Sequence, residues 1–413
     1  MKKFTIFALV VAITAVFAVS AMANEWNLYG SARMATFYTI RDYGDIFTDA
    51  DNPGGDDIFG KDNFKATQWA LQGNSRIGAT VKGDMLEGRF EFGVTSDGSG
   101  GNVGARRLYG VWHFTEGWGL KVGKDYTPIT FFLSGQVFDS DAGLLQVGNA
   151  YGSRRAQLAI EGKLGPGMFK FAAIDQTQAN ISFTTVDPAT GVVTALDTQT
   201  ESYWPKLETS YQMMFGDNMS VHAFGGFQST KYYTNNPVTG ADGSKTLSSY
   251  MVGLGGEFNF GPMFVKPQVS YYYNGQSAGW LGLQTSNLVS YSGLPAGTAA
   301  DISEFGPIVV NGDADNIKTT MAMLALGFSP TEALTLEGGI GWNYNKSDGN
   351  QSIDKNTYLE YYLQAVWKMA PSVYLIPEVG YRDFGDLKFS TANTPDIDLG
   401  SLFYFGAKWQ IDF

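Results

Sequence analysis

Four arginines are the residues of this chain best placed to act on a solute without bonding to it. Arg33, Arg76, Arg107 and Arg155 each fall on the polar side of a segment in which apolar and polar residues alternate. A guanidinium stays charged at any physiological pH. Facing a common aqueous space, such charges make a field that steers ions and orients polar solutes. Their plainer use is to neutralise nearby acids such as Glu91 and Glu161.

Covalent chemistry finds little support. There is no His-Glu-x-x-His and no phosphate-binding loop. Gly253-Leu254-Gly255-Gly256 lies inside an alternating segment, where glycine fits a bend or close contact and does not open a helix. The chain has no cysteine, so neither a disulfide framework nor a thiolate metal site is proposed. No catalytic residue, cofactor-binding residue or metal ligand is assigned, and the expectation is that the protein is not an enzyme. The acids Asp42, Asp45, Asp49, Asp51, Asp56 and Asp57 are dense enough to bind divalent cations, or to bridge through them to lipopolysaccharide. They also suit a solvated loop, and the Glu that closes an EF-hand pattern is missing. A net charge of −12 and the lack of a basic, aromatic-interleaved patch argue against nucleic acid.

The elements that must position the arginines are strands. In the last fourteen residues, 400–413, Phe403, Phe405, Ala407, Trp409, Ile411 and Phe413 share one face, and Tyr404, Gly406, Lys408, Gln410 and Asp412 the other. Sixteen such segments are expected, at 25–41, 65–82, 89–96, 103–114, 119–126, 153–164, 167–177, 202–215, 218–231, 247–260, 263–274, 317–328, 333–345, 356–369, 372–384 and 400–413. Residues 1–23 are set apart as a secretory signal peptide: Lys2 and Lys3, an apolar run from Phe4 to Val19, and small residues at Ala21 and Ala23. The remainder, 24–413, reads as one domain, and its formal charge falls from −12 to about −14 once the two lysines are gone.

The links between segments take turns in length. Short ones rich in Gly and Pro lie at 83–87, 115–118, 165–166, 216–217, 261–262, 329–332 and 370–371. Longer polar ones lie at 42–64, 97–102, 127–152, 178–201, 232–246, 275–316, 346–355 and 385–399. An up-and-down sheet puts alternate links at opposite rims, so one rim holds tight turns and the other long loops. A sheet crossing hydrocarbon must close on itself, because each unpaired backbone group there costs several kcal/mol. The expected fold is therefore all-β: a transmembrane antiparallel up-and-down barrel of about sixteen strands, with short periplasmic turns and long external loops. Aromatics near segment ends, such as Trp26, Tyr38, Trp112, Phe114, Tyr250, Phe260, Trp342, Tyr344 and Trp367, suit the boundary between membrane and water. A barrel of this size holds the two histidines, His113 and His222, too far apart for a shared metal or proton relay.

The leader, the strand number, the sorted links, a long third external loop and the closing Phe413 together resemble the sixteen-stranded general porins of bacterial outer membranes. A closer kinship is expected with the porins of sulfate-reducing and related bacteria. The resemblance covers the whole of 24–413 and is architectural. It implies a water-filled channel for passive diffusion of ions and small hydrophilic solutes; the alternative is a substrate-selective channel for sugars or organic anions. It implies location in the Gram-negative outer membrane, contact with its lipids and lipopolysaccharide, a homotrimer, and recognition of Phe413 by the barrel-assembly machinery. In that family the third external loop folds into the lumen, so residues 127–152 become the expected constriction, with Asp139 and Asp141 facing Arg33, Arg76, Arg107 and Arg155. The loop is more apolar than solvent exposure favours, as Ile129, Phe131, Phe132, Leu133, Val137 and Phe138 show. It lacks the Pro-Glu-Phe-Gly-Gly pattern of many enterobacterial porins, so loop geometry and selectivity are not carried over.

Overall fold

A computed structural model describes residues 25–42, 44, 63–94, 103–176, 183–186, 193–195, 197–235, 242–281, 308–310, 313–348, 353–389 and 396–413. The expected signal peptide and most of the acidic stretch 42–57 lie outside these residues. The described chain forms sixteen staves. The first seven are β1 Glu25–Asp42, β2 in two pieces Asn63–Leu71 and Arg76–Lys82, β3 Leu86–Val94, β4 Val103–Thr115, β5 Trp118–Tyr126, β6 Arg154–Leu164 and β7 Gly167–Ile174. The others are β8 in two pieces Asp197–Glu201 and Lys206–Phe215, β9 Met219–Asn235, β10 Asp242–Phe260, β11 Met263–Tyr273, β12 Ile317–Thr331, β13 Leu334–Ser347, β14 Ile353–Ala370, β15 Val373–Asp383 and β16 Ser401–Asp412. Each pairs antiparallel with its neighbour in the chain, and β1 closes the ring against β16 from Ser31↔Asp412 to Asp42↔Ser401. The barrel is an antiparallel up-and-down cylinder without a free edge, as the alternation and the sorted links predict.

The register fixes which side chains look inward. In an antiparallel ladder directly paired residues share a face. Arg33 sits opposite Gln410, Ser31 opposite Arg76, and Asp125 opposite Arg155, so all of these face the lumen. Apolar residues of the opposite phase face outward: Leu28 is 76% exposed, Ile77 61% and Leu363 62%. In β16, Phe403, Phe405, Trp409 and Ile411 are exposed on the outside while Tyr404 and Lys408 are buried within. Rings collect on the outer surface, as where Tyr250 and Tyr273 stack with centroids 5.0 Å apart. An oily exterior around a polar interior is the arrangement hydrocarbon demands of a closed sheet. Two-residue turns bind one rim, and the glycines that open them, Gly165 and Gly216, hold φ of 59° and 63°, which a side chain would oppose.

Three strand boundaries depart from the sequence expectation. The segment 65–82 is broken by a turn in which Ser75 N–H donates to the Gln72 carbonyl at 2.8 Å. Residues 202–205 are not strand: Pro205 has no N–H for the ladder, so the main piece of β8 begins at Lys206. The stretch 232–246, expected as a loop because it is polar, is mostly strand, with Asn235 paired to Asp242. Tyrosine and threonine favour the pleated backbone regardless of polarity, and here they extend the hairpin beyond the apolar band. Among the long loops, Phe183–Val186, Val193–Ala195, Ile308–Val310 and Asp313–Asp315 form a separate four-stranded sheet.

Candidate functional site: the inserted loop and the basic wall

The loop between β5 and β6, residues 127–152, lies inside the cylinder. Its apolar side chains Ile129, Leu133, Val137, Phe138 and Leu144 are buried against inward-facing residues of the staves. Phe138 stacks on Tyr404 of β16 at 3.8 Å and 11°, and Phe131 on His222 of β9 at 3.7 Å and 12°. Burial of these rings explains why the loop is more apolar than a solvated one.

A loop inside a barrel must also find partners for its backbone. Carboxylates on adjacent staves supply them, two to backbone N–H groups and a third to a loop side chain. Glu337 Oε1 of β13 accepts from Gly135 N–H at 2.6 Å. Glu360 of β14 accepts from the Gln136 amide at 2.5 Å. Glu378 of β15 accepts from Val137 N–H at 2.6 Å and Phe138 N–H at 3.0 Å. Hydrogen bonds to charged acceptors are the strong ones, about 1.5–3 kcal/mol each. Farther on, Ala150 N–H donates to Gln268 of β11 at 2.5 Å. A second segment after β11, residues 275–281, reinforces this anchorage. Trp280 is fully buried with Ile129 and Ala150 of the loop and with Phe224, Met251, Tyr272 and Met321 from the wall. Its indole N–H donates to Glu208 Oε1 at 2.8 Å, beside the buried Lys206 at 3.4 Å.

Of the six residues singled out from the sequence, the structure joins some and separates others. Asp141 lies 2.5 Å from Arg33 Nη1 and 2.8 Å from Lys408 Nζ, and it also accepts from Asn74. Asp139 pairs with Arg382 at 3.0 Å, a partner the sequence did not single out. Arg76 and Arg107 do not meet the loop acids. Arg76 is 4.0 Å from Glu91, and Arg107 Nε donates to Asp125 Oδ1 at 2.6 Å. Arg155 sits opposite Asp125 in the ladder. Of the expected confrontation of two aspartates with four arginines, the structure brings Asp141 to Arg33, while Arg76 and Arg107 turn to Glu91 and Asp125 of the wall. Barrel geometry is the reason, since the part of the loop that carries Asp139 and Asp141 lies against β13–β16, β1 and the break in β2, while Arg76 turns to Glu91 of β3 and Arg107 to Asp125 of β5.

That wall holds an excess of cations. Glu91 is buried and shared by three guanidiniums, those of Arg89 at 3.0 Å, Arg106 at 2.8 Å and Arg76 at 4.0 Å. A bulge opposite Glu91 lets the consecutive Arg106 and Arg107 both turn inward. Asp125 is shared by Arg107 and by Lys121 at 3.0 Å. Lys170, paired in the ladder with Glu161, and Arg154 have no carboxylate within ion-pair distance among the described residues. The sequence signal for this wall was the run of Arg and Lys at inward phase on β2 to β7. Glu337, Glu360 and Glu378 also sit mid-segment on the polar phase, although that phase alone says nothing of which loop groups arrive there.

Known structures with this architecture include an outer-membrane channel, a porin and a further outer-membrane protein. The outer-membrane channel DcaP of Acinetobacter baumannii is 15% identical, covering 95% of this chain and 98% of that one, with a TM-score of 0.59. This is the fold of the outer-membrane porins. The anion-selective porin from Comamonas acidovorans is 13% identical over 94% of this chain and 100% of its own, with a TM-score of 0.54. OmpT of Vibrio cholerae, an outer-membrane protein in a trimer form, is 15% identical over 94% and 99%, with a TM-score of 0.53. At such identity the likeness is one of fold. No family model and no curated protein matches the chain.

Proposed function

We propose that this chain forms a water-filled channel in the outer membrane of a Gram-negative bacterium, through which ions and small hydrophilic solutes diffuse passively, with a preference for anions. The observation that carries the preference is the lopsided lumen. On one side three arginines share Glu91, whereas on the other the acids are consumed by the loop they hold. Arg76, Arg107 and Arg155 are its field-setting residues, and Arg33 with Asp141 and Arg382 with Asp139 set the loop's position. Opposed charges across a narrow aqueous gap orient polar solutes and disfavour apolar ones.

Supporting this reading are the closed barrel, its apolar outside, and the likeness to the outer-membrane proteins named above. A homotrimer accords with the trimer form of one of them. Export by residues 1–23, assembly through Phe413, contact with lipids and lipopolysaccharide, and the absence of enzymatic activity belong to the same proposal. Swelling of liposomes containing the purified protein tests it. Rates that fall steeply as sugar size rises, and that favour small anions over cations of equal size, are expected; liposomes that do not swell with any solute contradict it.

A further inference from the structure

We propose that the basic wall carries a subsite for aromatic anions, a carboxylate or sulfonate borne on a ring, formed where Phe132 of the inserted loop meets Tyr126, Arg107 and Arg154. The proposal rests on the channel reading and goes beyond it by naming a solute class.

Phe132 is 54% exposed, the one large apolar side chain of the loop left so open, while Ile129, Leu133 and Phe138 beside it are buried. An exposed phenyl group inside an aqueous lumen is unfavourable until something apolar covers it. Its ring stands edge-on to Tyr126 with centroids 4.9 Å apart. Two guanidinium carbons, those of Arg107 and Arg154, each lie 5.4 Å from the Tyr126 centroid. Arg154 Nη1 is buried without a hydrogen-bond partner. Beside this group opens a cavity of about 400 Å³ lined by Arg106, Lys124, Tyr151, Ser153 and Arg154, with Gly93 and Gly104 exposing backbone to it.

The chemistry matches one class of solute. The guanidiniums supply a fork for a carboxylate or sulfonate, and the phenyl and phenol rings supply an apolar surface within reach of the same anion. A small hydrophilic anion uses only the first half, and a neutral aromatic only the second.

The test records current through single channels in KCl with benzoate, acetate or benzyl alcohol added, together with ligand-observed NMR of benzoate on the detergent-solubilised protein. Benzoate is expected to block at concentrations about ten-fold below acetate, the gain one stacked ring provides, with no block by benzyl alcohol. Phe132→Ala narrows that gap to under about three-fold and Phe132→Tyr keeps it. Arg154→Gln weakens block by both anions. Equal block by benzoate and acetate, or a gap untouched by Phe132→Ala, overturns the subsite while leaving the channel in place. Benzoate binding seen by NMR on a protein that passes no current overturns the channel reading and leaves the subsite.

Discussion

Glu378 takes the backbone N–H of Val137 at 2.6 Å, and the next N–H, that of Phe138, at 3.0 Å. One carboxylate thus holds two successive peptide groups of the inserted loop against β15.

Removing the latch frees the loop. Glu378→Ala strips two hydrogen bonds from the loop backbone, about 1 kcal/mol apiece, and is expected to give larger and noisier unitary currents. Glu378→Gln keeps one acceptor oxygen and falls between. Recordings from the alanine variant indistinguishable from those of the unaltered protein would remove Glu378 from this role.

The double substitution Arg76→Ala with Arg107→Ala leaves Glu91 with Arg89 and Arg106, and Asp125 with Lys121, so both acids keep partners. Each charge contributes about 1 kcal/mol to a passing ion at contact distance in water. The anion-to-cation permeability ratio is therefore expected to fall several-fold. Reversal potentials across a KCl gradient read it directly, and an unchanged ratio would detach these arginines from selectivity.

Trp280 joins the second inserted segment to the loop. Trp280→Ala empties a buried site and costs about 3–5 kcal/mol. Trp280→Phe keeps a ring and loses only the bond to Glu208. The temperature at which the barrel loses its compact migration in gels is expected to drop strongly for the first and modestly for the second; equal temperatures for both would show that packing at Trp280 matters little.

Much of this was legible in the chain and some was not, for reasons of range. The period of two in β16 needs only neighbouring residues, so Phe405 outward and Lys408 inward followed without a partner strand. The same phase placed Arg33, Arg76, Arg107 and Arg155 on the lumen side. Contacts between them and the loop depend on the stagger of sixteen staves, which no local pattern encodes; hence Asp139 meets Arg382 and Arg107 meets Asp125. The break in β2 was hidden because residues 72–75 keep the alternating phase, with Trp69 and Ile77 both outward. Phe131 and Phe138 marked the loop as buried, whereas the glutamates that receive it lie more than 200 residues away in sequence.

The outer face provides its own check. Leu363 is 62% exposed there, in the middle of β14. Leu363→Arg is expected to cost about 2–4 kcal/mol when the protein folds into lipid vesicles, the penalty for a charge near the bilayer centre, and Leu363→Ala far less. Equal folding yields for the two would place this face in water.

The central claim is that an aqueous path runs through the cylinder past the basic wall. Planar-bilayer recording of the purified protein across a KCl gradient tests it most directly. Discrete conductance steps that grow linearly with salt, with a reversal potential on the anion-preferring side, are predicted. A bilayer that stays sealed after insertion, or steps that reverse on the cation side, would contradict the account.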